Sequence, residues 1–178
     1  MMDGSERLKT NSRRLRRVFL VLLVLTPIFN ALFWIGVGEG EITCLKQLPV
    51  KIVGTLPIAN LAGGFAASMV TTIIVMYVLY QIVRLFGFYA QGKVFDRENV
   101  ACFRFIGWSI IVWEIADFLL DIALGPILTY HLGEGKRTLV IGVDNQDFYV
   151  LLAGFSVLTI AWVMDEARKI KEEQELFV

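Results

Sequence analysis

Histidine and cysteine are nearly missing from this 178-residue chain, which has one histidine, His131, and two cysteines, Cys44 and Cys102. So few ligand and nucleophile side chains, set far apart, give no zinc spacing and no Cys-x-x-Cys redox pair. Also absent are a Gly-x-Ser-x-Gly elbow, a phosphate-binding P-loop and a His-Glu-x-x-His pair. An enzyme built on a nucleophile or a resident metal is therefore not expected, and neither is a cofactor. Charge is scarce as well, 19% of residues, where soluble domains carry about 25%. Seventeen basic residues balance seventeen acidic ones, for a net charge of zero. No overall field draws nucleic acid, and direct nucleic-acid binding is not expected.

What the chain has in excess is apolar surface. Hydrophobic residues make up 56% of it, and they fall into long uncharged runs. A helix rises about 1.5 Å per residue, so about 20 apolar residues cross the hydrocarbon core of a bilayer. Four segments are expected to span, at about 18–37, 64–84, 105–125 and 148–164. The chain then reads as one all-α membrane domain, 1–178, with tails at 1–17 and 165–178. The first run follows the basic cluster around Arg13 and could pass for a signal peptide. It is long for that role, and no small-x-small cleavage site follows it cleanly. Pro57 precedes the second span, where a proline enters a first turn at little cost. Pro27 is expected to kink the first span unless Thr26 or a neighbouring helix compensates, and Gly125-Pro126 is expected to close the third.

Lysine and arginine set the orientation. Arg7, Lys9, Arg13, Arg14, Arg16 and Arg17 precede the first span, Arg84, Lys93, Arg97 and Arg104 flank the second connection, and Arg168, Lys169 and Lys171 follow the fourth span. Only Lys46, Lys51, Lys136 and Arg137 occupy the other two connections. The bias places both termini in the cytoplasm. Arg13, Arg14, Arg16 and Arg17 are also placed to meet anionic lipid headgroups. Cys44 and Cys102 then lie on opposite sides of the bilayer and cannot pair. Each outer connection carries a β-branched run, 48–53 and 138–143, and the two are expected to pair as a small extracytoplasmic two-stranded sheet.

The second and fourth spans are followed by similar segments. Phe95-Asp96-Arg97-Glu98-Asn99 and Ile170-Lys171-Glu172-Glu173-Gln174 share an apolar residue, two polar ones, Glu, then an amide. This echo suggests two tandem two-helix units. At these residues a family becomes recognisable. Gly92-Lys93-Val94-Phe95-Asp96-Arg97-Glu98-Asn99-Val100, with the ending Ile170 to Val178, resembles a bacterial four-helix membrane family catalogued as a domain of unknown function, DUF2975. Phe177 stands where the family's usual ending has Thr. The resemblance implies a bacterial cytoplasmic membrane and a helix-turn-helix regulator as a partner, and it implies no activity.

The third span carries Glu114, Asp117 and Asp121, which fall on one helical face. Counted from Arg104, Glu114 lies about 15 Å along the helix, near the bilayer centre. Such carboxyls face protein or water rather than lipid. They can form a hydrogen-bonded seam, with Asn30, Thr71, Thr72, Tyr77 or Gln81 as partners, or a path for protons or cations. A small-residue patch, Ala59, Ala62, Gly63, Gly64, Ala66, Ala67 and Ser68, reads as a surface for close helix packing.

Two functions remain open. One is a non-enzymatic regulatory or interaction protein, with a homo-oligomer allowed, that uses Phe95, Glu98, Asn99, Ile170, Glu173 and Gln174 to dock a cytoplasmic partner. The other is a small transporter or ion-pathway subunit built on the acidic face of the third helix. Helix capping is the plainer reading of the two cytoplasmic motifs.

Overall fold

The computed structural model of the chain describes residues 4–39, 56–94, 96–132, 139, 141–142 and 145–176. Four long helices account for nearly all of them: α1 (Gly4–Glu39), α2 (Ile58–Ala90), α3 (Arg97–Thr129) and α4 (Asn145–Leu176). A single 3-10 turn, Tyr130–Leu132, follows α3. With 36 residues, α1 is about 54 Å long, well beyond the 30 Å of a hydrocarbon core. It therefore carries its basic segment as helix, with Arg13, Arg14, Arg16 and Arg17 all exposed.

The prolines behave differently from expectation in one helix. Pro27 sits inside α1 without ending it, and Thr26 Oγ1 donates to Leu22 O at 2.7 Å beside it. Gly125-Pro126 does not close α3, which runs on to Thr129. The carbonyls of this last turn find partners that local sequence does not reveal. Asn60 Nδ2, from the first turn of α2, donates to Ile127 O at 2.7 Å, and Thr129 Oγ1 donates to Gly125 O at 2.7 Å. These bonds meet the need of a helix end for partners, which lets the turn persist.

Each helix packs against the next in chain order, antiparallel: α1 on α2, α2 on α3, α3 on α4. Phe19 stacks on Phe86 at 5.6 Å near the basic end of α1 and α2, and Trp34 meets Gly64 near the other. Between α3 and α4 the approach is close because two glycines face it. A Cβ on Gly107 would stand 2.8 Å from the Leu158 side chain, and one on Gly154 2.9 Å from Ile111. Helices α1 and α4 do not pack together to any comparable extent. The array is open rather than a closed bundle. A buried cluster of Trp34, Val37, Leu120, Leu124 and Leu128 joins α1 to α3 at the end away from the basic residues.

Large apolar side chains point outward, among them Val21, Phe29 and Ile35 on α1 and Phe148, Phe155 and Trp162 on α4. Helices α1, α2 and α4 are long and apolar enough to cross a membrane. The expected two-stranded sheet is not supported. Segment 48–53 lies outside the described residues, and in 138–143 the described residues 139, 141 and 142 are not strand. A β-branched run forms a strand only where a second strand meets its backbone groups.

Candidate functional site

Glu114 is buried, with 8% of its surface exposed, and Asp117 and Asp121 are half-buried on the same helix. A fourth acid joins them from α4. Asp147, in the first turn of that helix, comes within side-chain hydrogen-bonding reach of Glu114, and Asp117 and Asp121 lie close enough to act on Glu114 through their charge. Two carboxyls can bond to each other only through a proton that one of them holds. Asp147 escaped the reading of the sequence because it sits just outside the apolar run of α4. The signal that could have found it is Asn145-Gln146-Asp147, a polar opening to a helix.

The contacts of Gly107 and Gly154 fix the register of α3 against α4. Arg104 Nη2 lies 4.0 Å from Asp165. Asp147 lies 18 residues along α4 from it, about 27 Å. Glu114 stands about midway along α3, and Asp147 reaches it from the first turn of α4.

Asn30 belongs to a different set of contacts. Ser68 Oγ lies 3.0 Å from Asn30 Oδ1 and receives the Trp34 indole N–H at 2.8 Å, and Asn30 Nδ2 faces Met69 Sδ at 3.3 Å. Thr71 and Thr72 both donate to Ser68 O, at 3.0 and 2.9 Å. Gln81 is held near Arg84 and Tyr77 packs edge-on to Phe105. Together α1, α2 and α3 form a half-open cavity of about 220 Å³, which Asn30, Trp34, Ser68, Thr72, Trp113 and Asp117 help to line. The acidic helix therefore faces two places, α4 through Glu114 and this cavity through Asp117.

At the basic end the 92–100 segment is a tight connection. Gly92, at φ +83°, donates to Tyr89 O at 3.0 Å, and Lys93 N donates to Phe88 O at 3.1 Å. This pair of bonds closes α2 in the Schellman manner. Asn99 is fully buried and its Nδ2 donates to Lys93 O at 2.8 Å, so it ties the turn to α3. Glu98, Ile170, Glu173 and Gln174 are exposed, and Phe95 lies outside the described residues, as does Cys44. Arg97 of α3 approaches Glu172 of α4 at 3.7 Å. Arg168 holds Asp165 and Glu172 at 3.0 and 2.6 Å, and its hydrogen bonds keep both carboxyls below the usual carboxylate range.

Helices that are long, apolar and turned outward with their large side chains are the features of an all-helical integral membrane protein. The chain belongs to the family described as protein of unknown function (DUF2975), whose model matches residues 22–178. No curated protein and no solved structure matches it.

Proposed function

We propose that this protein crosses a bacterial cytoplasmic membrane four times, as two tandem helix pairs with both termini inside, and acts as a non-enzymatic regulatory or interaction protein. Support for four crossings comes from the packing of α3 against both α2 and α4, each apolar enough to span. Support for the orientation comes from the distribution of basic residues. One observation carries the functional reading. Arg97 lies 3.7 Å from Glu172, and Glu98, Ile170, Glu173 and Gln174 are exposed on the same two helices. A cytoplasmic protein, of which a helix-turn-helix regulator is one kind, is the partner proposed for that face. Arg13, Arg14, Arg16 and Arg17 are proposed to meet lipid headgroups beside it.

Affinity purification in mild detergent tests this reading. Combined Glu98→Ala and Glu173→Ala is expected to lose a co-purifying partner while the protein stays folded and inserted. Unchanged capture, or failure to fold, would make the segments structural. An extracytoplasmic reporter is expected to be active after Gly135 and silent after Lys93, and the reverse result refutes the orientation.

The Glu114–Asp147 pair favours a second reading, an ion-pathway or transport subunit. Glu114→Gln distinguishes the two: it is expected to abolish flux if the carboxyls form a path, and to leave docking largely intact otherwise.

A further inference from the structure

The four arginines at the start of the first span are not equivalent in the structure. Ser12, Arg16 and Phe19 follow one another at helical spacing along α1. Ser12 is buried, a Cβ on Gly87 would stand 3.8 Å from the Arg16 guanidinium, and Phe19 stacks on Phe86. At about 100° per residue, Arg14 and Arg17 then fall on the side of α1 away from α2, with Arg13 on its flank. We propose that Arg13, Arg14 and Arg17 form a site for the headgroup of an anionic phospholipid, and that Arg16 instead serves the end of α2. The proposal rests on the headgroup contact proposed above, and it names the lipid class and the residues that select it.

Charge selects the class. On the α3–α4 side of the same end the cations are matched by acids. Arg97 and Arg168 meet Glu172, Arg104 meets Asp165 and Lys169 meets Glu166. On α1, Lys9 is paired with Glu6, but among the described residues Arg13, Arg14, Arg16 and Arg17 form no ion pair. Positive charge is therefore in surplus on one side of the array and balanced on the other. An anionic headgroup offsets the surplus. A zwitterionic headgroup brings its own cation with its phosphate and offsets less. Arginine suits the role because its planar guanidinium can bond two phosphate oxygens at once.

Depth selects the residues. Val18 opens the apolar run of α1, so Arg17 stands at its edge. The polar layer on each face of a bilayer is about 5–7 Å thick. Counted along the helix, Arg14 lies about 4.5 Å beyond Arg17 and Arg13 about 6 Å, both within that layer. Arg7, about 15 Å beyond, lies outside it. This part of α1 is continuous helix with Ser12 buried, so a lipid does not have to order the backbone that carries the three arginines. Arg16 meets a different need. The last turn of α2 has no basic residue, its free carbonyls carry partial negative charge, and Arg16 stands beside Gly87 within it.

The test places the full-length protein in phosphatidylcholine bilayers with a trace of spin-labelled phosphatidylglycerol or spin-labelled phosphatidylcholine. The fraction of each label immobilised by the protein is read. Phosphatidylglycerol is expected to associate about fivefold more strongly or better, and the preference is expected to fall as salt is raised. Arg13→Gln, Arg14→Gln and Arg17→Gln together are expected to abolish the preference and to leave the unfolding temperature in phosphatidylcholine unchanged. Arg16→Gln is expected to keep the preference and to lower that temperature. Equal association of the two lipids with the unaltered protein overturns the proposal, and so does a preference that survives the triple change. An equal loss of preference in Arg16→Gln overturns the division of roles. Inorganic phosphate that removes the preference at an ionic strength where chloride does not would reassign the site to a free anion, which also overturns it. The two-lipid comparison needs no variant, so it decides the matter even if the triple variant does not fold. A spin label at Arg14→Cys, with both native cysteines replaced, separates this proposal from the reading beneath it. A label in bulk water defeats the headgroup contact itself, whereas a label at headgroup depth with equal lipid association defeats the selectivity alone.

Discussion

The indole ring of Trp34 occupies the space where any side chain at position 64 would begin. A Cβ built on Gly64 overlaps the ring, and the ring nitrogen is bound one turn further along α2, at Ser68. This contact holds α1 to α2 at the end remote from the basic residues and forms one wall of the cavity.

Gly64→Ala is expected to destabilise the protein by about 1–3 kcal/mol, the usual cost of overpacking a tight contact. Thermal unfolding in detergent measures it. Because the clash is with one ring, Gly64→Ala combined with Trp34→Phe is expected to cost less than the sum of the two single changes, as contacting residues do. Strict additivity would mean that the ring moves aside freely.

Asn60 gives a sharper comparison, since its amide nitrogen is the atom in use. Asn60→Leu removes the bond to Ile127 O in a buried place and is expected to cost about 1–3 kcal/mol. Asn60→Asp is expected to cost more, because it sets an acceptor against an acceptor. Matching unfolding temperatures for the two variants would show that the bond contributes little.

Gly92 holds a backbone conformation at φ +83° that other residues adopt with strain. Gly92→Ala is expected to lose about 1–2 kcal/mol, and Gly92→Asn less, since asparagine tolerates this region better. Detergent unfolding curves compare the pair, and equal losses would point to the side chain rather than the backbone.

The end of α4 should respond to acid in a defined direction. Asp165 and Glu172 are held below their usual range by hydrogen bonds from Arg168, so the folded form binds protons less readily than an unfolded one. Their stabilisation is therefore complete above the ordinary carboxylate range, about pH 4 to 5, and is lost as pH falls through the lower folded values. A spin label at Glu173→Cys, with both native cysteines replaced, is expected to gain mobility as pH falls below that range. With Arg168→Gln it should be mobile already at pH 7. A label insensitive to both changes would show that the ion pairs do not order this turn.

The helices were legible in the sequence because a long uncharged run has few alternatives, and the acids of α3 were legible because they recur on one face. What escaped depends on contacts between helices. The continuation of α3 past Pro126 rests on Asn60, sixty-seven residues away from the carbonyl it meets. The meeting of Glu114 with Asp147 rests on the register of α3 against α4, which no local count reveals. Asn99 looked like a docking residue beside Glu98, whereas its burial and its bond to Lys93 O make it a tie within the turn.

The serial order of packing also bears on how the chain assembles. Every major interface joins helices adjacent in sequence, and none waits for the last helix to find the first. Contacts of short sequence separation carry a small loop-closure cost, so such an array forms quickly. During synthesis each helix meets its partner as soon as the next one emerges. A chain halted before α4 already contains the α1–α2 and α2–α3 interfaces, together with the Trp34–Leu120 cluster that joins α1 to α3.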